Sequence, residues 1–164
     1  MINAAIVTVS DSAVQGTRPD SSGPKLRERI ESLGWTVAAQ ELVPDEADQI
    51  AATLRRLADT AVASVILTTG GTGVALRDVT PEATRAVIER EIPGIGEQMR
   101  AEGRKNTPFA VLSRGLAGTR GRSLIVNLPG SPKGALESFD AIAKLIPHIV
   151  DLLEGRTGHA DVPN

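Results

Sequence analysis

The segment from Leu67 to Thr84 (LTTGGTGVALRDVTPEAT) constrains this chain more than any other part of it. An apolar strand runs directly into a loop that contains Gly70, Gly71 and Gly73, and a Thr-Pro pair then begins a helix. Glycines let a backbone approach a ligand closely and turn its N–H groups toward it, which suits a phosphate. Asp78 follows the loop, where its carboxylate could hold a metal ion that the phosphates share. The segment predicts a phosphate-binding loop at the rim of an α/β sheet.

Strand and helix patterns alternate along the rest of the chain. Apolar runs predict strands over Ile2–Val9, Thr36–Val43, Val62–Thr68 and Ser123–Leu128, with Phe109–Leu112 a short strand or extended piece. Helical spacing predicts helices from Pro24 to Gly34, Glu46 to Asp59, Pro81 to Glu91, Ile95 to Glu102 and Pro132 to Leu153, the last kinked at Pro147. The alternation predicts a three-layer α/β/α fold with a mainly parallel sheet. We expect one domain over residues 1–154 and a polar tail over 155–164.

Composition excludes several classes of function. The chain has 164 residues, of which 41% are hydrophobic, and a formal net charge of −2, so nothing in its charge supports nucleic-acid binding. Because it has no cysteine and two histidines, any metal would take oxygen ligands. The first residues lack the basic flank of a signal peptide, and no apolar run is long enough to span a membrane. We therefore expect a cytoplasmic protein with no membrane partner.

Four loops follow the predicted strands, and they carry most of the polar candidates. In open α/β sheets, ligands bind beyond the carboxyl ends of the strands. The sequence therefore predicts that four loops meet at one rim: Ser10-Asp11-Ser12, Pro44-Asp45-Glu46, Thr69–Val79 and Pro129–Lys133.

Each candidate also has a structural interpretation. The glycine loop lacks the third glycine of a dinucleotide fingerprint and the Gly-Lys of a P-loop, and it could be a tight turn. Asp78 could be solvated, cap a turn or pair with Arg77. Asp45 precedes a helix and would be a good N-cap. Lys133 lies in the first turn of the last helix, where the helix dipole disfavours a cation, and this mismatch hints at an anionic partner.

Five motifs occur in order over Ala4 to Leu153: TTGGTG, RDVTPEAT, PGIGEQMR, LSR and NLPGSPKG. In this order and spacing they resemble the molybdenum cofactor biosynthesis proteins of the MogA and MoaB type, which include the G domains of gephyrin and of plant Cnx1. The resemblance implies an α/β/α fold with a mixed sheet, assembled as a homotrimer more often than as a hexamer. It implies molybdopterin adenylyltransfer, in which ATP and molybdopterin react with the help of Mg²⁺, and delivery of the product to the molybdate-inserting enzyme.

The resemblance also implies functional residues. The two important acidic positions of the family match Asp45 and Asp78, and Asp78 would hold the Mg²⁺. The substrate- and nucleotide-binding positions match Ser10, Asp11, Gly70, Gly71, Thr72, Gly73, Ser131 and Lys133.

One motif favours an alternative. DSSGPKL, from Asp20 to Leu26, resembles the TSG of the MoaB branch, which includes inactive members. The alternative is a molybdopterin-binding protein that consumes no ATP. A different phosphate-binding enzyme with the same fold is a third hypothesis, and the combination of NLPGSPKG with RDVTPEAT argues against it.

Overall fold

The computed structural model describes residues 1–158, whose strands form one six-stranded sheet in the order β2-β1-β3-β6-β5-β4. The strands are β1 (Asn3–Val9), β2 (Thr36–Val43), β3 (Val65–Thr69), β4 (Arg90–Glu91), β5 (Ala117–Arg120) and β6 (Ser123–Leu128). The helices are α1 (Asp11–Gln15), α2 (Ser22–Ser32), α3 (Ala47–Asp59), α4 (Thr80–Arg85), α5 (Pro93–Arg104), α6 (Pro132–Ile142) and α7 (Ile146–Leu153), with a 3₁₀ helix over Pro108–Leu112.

The sheet is mixed but mainly parallel. Strand β1 pairs in parallel with β2 and β3, and β3 pairs in parallel with β6. Strand β5 is antiparallel to β6, and β4 is antiparallel to β5. The four strands predicted from apolar runs are therefore the four parallel strands, and their carboxyl ends share one rim of the sheet.

Side chains alternate between the two faces of the sheet, as the period of a strand requires. On β1, Ile6 packs into a core with α2, α5, α6 and α7, whereas its neighbours Ala5 and Val7 pack into a second core with α3 and α4. Strand β6 repeats the pattern, because Leu124 and Val126 face the first core and Ile125 faces the second. Helices thus cover both faces, which confirms the three-layer α/β/α fold.

Two predicted helices differ from the structure. The helix predicted over Pro81–Glu91 ends at Arg85, and Arg90–Glu91 pairs with β5 as an edge strand. The long last helix is two helices, separated at Ala143–Leu145. Pro147 does not kink a helix, because it lies in the first turn of α7, where its missing N–H costs nothing.

Two short segments also have a structure that the sequence patterns did not predict. Phe109–Leu112 is part of a 3₁₀ helix that Thr107 caps by accepting a hydrogen bond from the amide of Phe109. The Gly- and Arg-rich stretch after Ser113 contains strand β5, which sequence patterns did not indicate. Its backbone is paired on both sides, by β6 and by β4.

Among residues 1–158, no helix combines the length and the apolar character that a membrane crossing needs. Residues 159–164 of the predicted polar tail, including His159, lie outside the described part of the chain.

Candidate active site at the carboxyl ends of the parallel strands

A cavity of about 530 Å³, here called the rim cavity, lies beyond the carboxyl ends of β1, β2, β3 and β6. Six of the predicted site residues line it: Ser10, Asp45, Gly70, Gly71, Asp78 and Ser131. Four others do not belong to its wall: Asp11, Thr72, Gly73 and Lys133. The loops after four separate strands therefore contribute to one cavity, and both acidic candidates face it.

Asp45 is held by a reciprocal contact with Asp11. The amide of Asp11 donates to Oδ2 of Asp45, and the amide of Asp45 donates to Oδ1 of Asp11, both at 2.9 Å. The N-cap interpretation of Asp45 is wrong, since Glu46 precedes α3 and its side chain makes no capping bond. Asp45 instead ties the end of β2 to the end of β1.

The environment of Asp45 disfavours its charge. Burial raises the pKa of Asp45 above its ordinary value. The amide of Asp11 acts in the opposite direction on that pKa, and the charges of Asp11 and Asp78 raise it further. A carboxylate with two acidic neighbours in a cavity is a place where a cation would be favoured.

Asp11 lies behind Asp45 and is neutralised by Arg77. Arg77 Nε donates to Oδ2 of Asp11 at 2.6 Å, and Arg77 Nη2 donates to Oε1 of Glu46 at 2.9 Å. The bond from Arg77 lowers the pKa of Asp11 below its ordinary value. The interpretation in which Arg77 pairs with Asp78 is therefore wrong, because the guanidinium is directed at Asp11 and Glu46.

Asp78 closes a turn in the loop and still faces the cavity. Its Oδ2 accepts from the amide of Ala75 at 3.0 Å, and its own amide donates to the Ala75 carbonyl at 3.0 Å. Among residues 1–158, Oδ1 of Asp78 accepts no hydrogen bond. The turn therefore leaves one carboxylate oxygen of Asp78 available to a ligand.

The glycine loop reaches the cavity through its first two residues. Gly70 and Gly71 have φ angles of 105° and 67°, which favour glycine strongly. A side chain at position 70 would collide with the Val9 carbonyl, and one at position 71 with Oγ1 of Thr80. Thr80 fixes the turn, because its Oγ1 donates to the Gly70 carbonyl at 2.9 Å and its amide donates to the Gly71 carbonyl at 3.1 Å.

The loop amides are not equivalent as donors for an anion. The amide of Gly70 already donates to the Leu128 carbonyl at 3.1 Å. Among residues 1–158, no acceptor takes a hydrogen bond from the amides of Gly71 and Thr72. The first turns of α2 and α6 also open to the cavity through Ser22 and Pro132, and the positive ends of helix dipoles favour anions.

Arg18 is the cationic side chain in the wall of the rim cavity. It was not among the sequence candidates, because an arginine in a polar loop carries no signal without the fold. Lys133, which was a candidate, has a side chain that is 81% exposed, and its Nζ lies 3.9 Å from Glu137 Oε1. Ser131 caps α6 by accepting from the amide of Gly134 at 3.1 Å.

A second cavity of about 190 Å³, here called the helix cavity, lies between α5, the 3₁₀ helix and α6. Met99, Phe109 and Ala110 supply apolar walls, and Ser113, Asn127 and Ser138 supply polar groups. Ser131 belongs to the walls of both cavities. The motifs PGIGEQMR and LSR contribute to this cavity, so the signal was present in the sequence, although spacing alone could not interpret it.

Among residues 1–158, no group of three or more His, Cys, Asp or Glu side chains could hold a metal ion. Asp45 and Asp78 alone are too few ligands for a site made only of protein. They fit Mg²⁺ that is shared with a ligand, because this ion prefers oxygen donors and commonly takes one or two carboxylates together with phosphate oxygens and water.

Comparison with known proteins identifies the family of the chain. Residues 5–148 match the family described as "Probable molybdopterin binding domain". The chain is 42% identical to the molybdopterin adenylyltransferase of Helicobacter pylori J99, over 94% of this chain and 89% of that protein. It is 46% identical to the molybdenum cofactor synthesis protein cinnamon of Drosophila melanogaster, over 98% of this chain but 28% of that longer protein.

A solved structure shows the same fold. The molybdopterin biosynthesis enzyme MoaB of Thermus thermophilus superposes with a TM-score of 0.89 at 51% identity, covering 94% of this chain and 98% of that one. A family match over most of the chain and relatives above 40% identity agree with the five motifs. The chain therefore belongs to the molybdopterin-binding domain family of molybdenum cofactor biosynthesis proteins.

Proposed function

We propose that this protein is a molybdopterin adenylyltransferase, which transfers AMP from ATP to molybdopterin and releases pyrophosphate. The observation that carries the proposal is the contact of two unlike cavities at Ser131. One is polar and contains a glycine turn and three carboxylates, the candidates Asp45 and Asp78 together with Asp20, and the other has apolar walls. The proteins named molybdopterin adenylyltransferase among its relatives support the same activity.

The rim cavity suits the triphosphate of ATP. The amide of Gly71 provides an N–H group, and the first turn of α6 provides a positive dipole end. At the start of α2, the carboxylate of Asp20 already accepts from the amide of Gly23 at 3.0 Å. Arg18 adds a full positive charge to the same wall. Asp45 and Asp78 would repel a bare triphosphate, so their presence favours a nucleotide that arrives with a cation.

Asp45 and Asp78 are the residues that would hold Mg²⁺. When bound, this ion would neutralise charge on the phosphates of the nucleotide. The charges of Asp11 and Asp78 help to raise the pKa of Asp45, so these carboxylates together would favour a cation beside Asp45. The reciprocal bonds with Asp11 and the turn at Ala75 keep the two carboxylates oriented toward the cavity before any ligand binds.

The helix cavity suits the pterin of molybdopterin. Met99 and Phe109 offer an apolar surface for one face of a ring, and Ser113, Asn127 and Ser138 offer polar groups for its edge. A chain with three aromatic residues cannot enclose a ring between several others, and a site with a single aromatic wall agrees with that composition.

In the proposed reaction, a phosphate oxygen of molybdopterin attacks the α-phosphorus of ATP. A new P–O bond forms, the bond between the α-phosphorus and the bridging oxygen breaks, and pyrophosphate leaves with the electron pair. The protein contributes alignment and charge stabilisation and forms no covalent intermediate. Ser131 marks the place where the two phosphates would meet, because it borders both cavities.

Release of pyrophosphate tests the proposal directly. Purified protein with molybdopterin, ATP and Mg²⁺ should release pyrophosphate and form adenylylated molybdopterin in equal amounts. Omission of molybdopterin or of Mg²⁺ should abolish the release. A protein that binds molybdopterin but shows no ATP binding by calorimetry would instead be the non-catalytic binder of the alternative hypothesis.

We further propose a cytoplasmic homotrimer that delivers its product to a molybdate-inserting enzyme. The resemblance to the MogA and MoaB type supports this assembly over a hexamer. Light scattering coupled to size-exclusion chromatography would distinguish the two by mass, since one chain weighs 17.2 kDa.

A further inference from the structure

We propose that Arg114 is a positioning residue for the proposed adenylyl transfer, acting through the glycine loop and Asp78. The inference rests on the proposed function for its catalytic consequence. Arg114 belongs to the walls of neither cavity, so it does not contact a substrate there. Its effect would pass through the backbone that carries Asp78.

Arg114 makes three hydrogen bonds to the glycine loop and one to the helix that follows it. Nε donates to the Gly73 carbonyl at 2.7 Å, and Nη2 donates to the Asp78 carbonyl at 2.7 Å. Nη1 donates to the carboxylate of Glu82 at the start of α4. The amide of Arg114 donates to the Thr72 carbonyl at 2.8 Å. One residue therefore holds both ends of the segment that runs from Thr72 to Asp78.

That segment lacks the apolar burial that usually fixes a loop. Val74 and Leu76 are 70% and 99% exposed, so they contribute little packing. The turn between Ala75 and Asp78 is local and orients Asp78 only relative to its own neighbours. Arg77 contacts Asp11 and Glu46 through its exposed side chain, and Arg114 supplies the long-range contacts to the backbone of Gly73 and Asp78.

The other side of Arg114 is anchored near the helix cavity. Arg100 Nη1 donates to the Ser113 carbonyl at 3.3 Å and to the Gly115 carbonyl at 2.9 Å. Both Arg100 and Ser113 line the helix cavity. The segment Ser113–Gly115 thus lies between the two cavities, fixed to α5 on one side and to the glycine loop on the other.

Geometry as well as charge distinguishes arginine here. A guanidinium presents several N–H donors in a rigid plane, and two of them reach separate carbonyls at the same distance. A lysine ammonium is a flexible point charge that cannot make both contacts in this arrangement. We therefore expect Arg114→Lys to behave like Arg114→Gln and not to restore the wild-type protein.

Two measurements test the inference without relying on turnover. Hydrogen exchange should become faster at residues 73–78 in Arg114→Gln and Arg114→Lys, because the Gly73 and Asp78 carbonyls lose their guanidinium donors. Calorimetry of ATP binding at a series of Mg²⁺ concentrations should show that the variants need about tenfold more Mg²⁺, the size of effect seen when residues that orient metal ligands are changed. Where wild-type protein releases pyrophosphate, kcat should fall by at least a similar factor.

Matched controls separate positioning from general stability. Arg120 is also partly buried, donates to Asp59 Oδ1 at 2.8 Å and to the Val87 carbonyl at 3.1 Å, and lies at the opposite end of the sheet. Arg120→Gln should lower the unfolding midpoint without changing exchange at residues 73–78 or the Mg²⁺ requirement. Glu82→Gln, which leaves both carbonyl contacts of Arg114 in place, should have a small effect on either measurement.

Unchanged exchange in the Arg114 variants, or faster exchange with an unchanged Mg²⁺ requirement, would overturn the inference. Wild-type protein that binds ATP with Mg²⁺ but releases no pyrophosphate would overturn the adenylyltransferase activity and leave the role of Arg114 testable by binding. Wild-type protein that binds no ATP at all would overturn both.

Discussion

Asp11 and Asp45 each accept a hydrogen bond from the backbone amide of the other, and this contact joins the ends of two parallel strands. The two carboxylates nevertheless have opposite environments. Arg77 neutralises Asp11, whereas burial and acidic neighbours oppose the charge of Asp45. The two residues therefore have different roles. Asp11 makes structural contacts with Arg77 and the Asp45 amide, whereas Asp45 presents its carboxylate to the rim cavity.

The first prediction is that pH affects the stability contributions of Asp45 and Asp11 in opposite directions. Because folding raises the pKa of Asp45, its stabilising contribution is present at low pH and is lost as the pH rises through that pKa. At pH 7 the ionised carboxylate opposes folding, so Asp45→Asn should unfold at the same temperature as wild type or higher. The difference should shrink as the pH falls, and ATP turnover should be lost.

Asp11→Asn is the control, and its effect on the unfolding midpoint should have the opposite sign to that of Asp45→Asn. Folding lowers the pKa of Asp11, so its contribution is present at neutral pH and is lost as the pH falls through the folded-state pKa. Its unfolding midpoint should be below that of wild type at pH 7 and should approach wild type in acid. Thermal unfolding followed by circular dichroism between pH 3 and pH 7 (about the range in which carboxylates titrate) measures both. A lower midpoint for Asp45→Asn at pH 7 would contradict the prediction.

The second prediction concerns the proposed magnesium ligand. Asp78→Asn removes the charge but retains an oxygen that can accept from the amide of Ala75, so the turn should persist. Pyrophosphate release should fall by about 10²-fold, the scale of losing one electrostatic contact to a transition state. Asp78→Ala should also fold and still bind molybdopterin, as fluorescence titration can measure. Turnover at the wild-type rate in either variant would exclude a metal-binding role.

The third prediction separates backbone strain from function in the glycine loop. Gly71→Ala places a side chain at a φ of 67° and against Oγ1 of Thr80, so it should destabilise the fold by about 2 kcal/mol or more and weaken ATP binding. Gly121→Ala is the matched control, with a φ of 54° and no atom within 4 Å of the added carbon. Gly121→Ala should lower the free energy of unfolding by about 1 kcal/mol and leave ATP binding unchanged. Denaturant unfolding and calorimetry give the two quantities, and equal ATP affinity in both variants would count against the loop as a binding element.

The fourth prediction compares two cations. Arg18 lines the rim cavity, whereas Lys133 is largely exposed and lies outside its wall. Arg18→Gln should raise the KM for ATP about tenfold, while Lys133→Gln should change it by less than about twofold, because an exposed charge is screened by solvent. Initial rates of pyrophosphate release at low and high salt measure both. A larger effect on KM at Lys133 than at Arg18 would favour Lys133, the candidate from the sequence, over Arg18, which the structure places in the cavity wall.

The sequence predicted the parts of the fold that depend on local pattern. Apolar runs located the four parallel strands, and the rule for strand ends brought Asp45, Asp78 and Gly71 to one cavity. Strand β5 was missed because Ala-Gly-Thr-Arg has little intrinsic strand preference and depends on its neighbours for pairing. Pro147 was misinterpreted because a proline inside a helical pattern can break a helix or begin the next one, and spacing alone does not distinguish these cases.

Sequence patterns could not predict contacts between residues that are far apart along the chain. The side-chain partners of Arg77 lie 31 to 66 positions away along the chain, and those of Arg114 lie 32 to 41 positions away. Only the folded structure therefore shows which carboxylate or carbonyl each guanidinium contacts. The same holds for Arg18, whose neighbourhood is assembled from loops of several strands.

The position of Ser131 on the border between the two cavities has a consequence for inhibitor design. A compound confined to the compartment on one side of this residue would block one substrate competitively and leave the other free to enter. A compound that crosses the border would compete with both at once, and a bulky replacement at Ser131 would weaken this second kind most, because it must pass that residue.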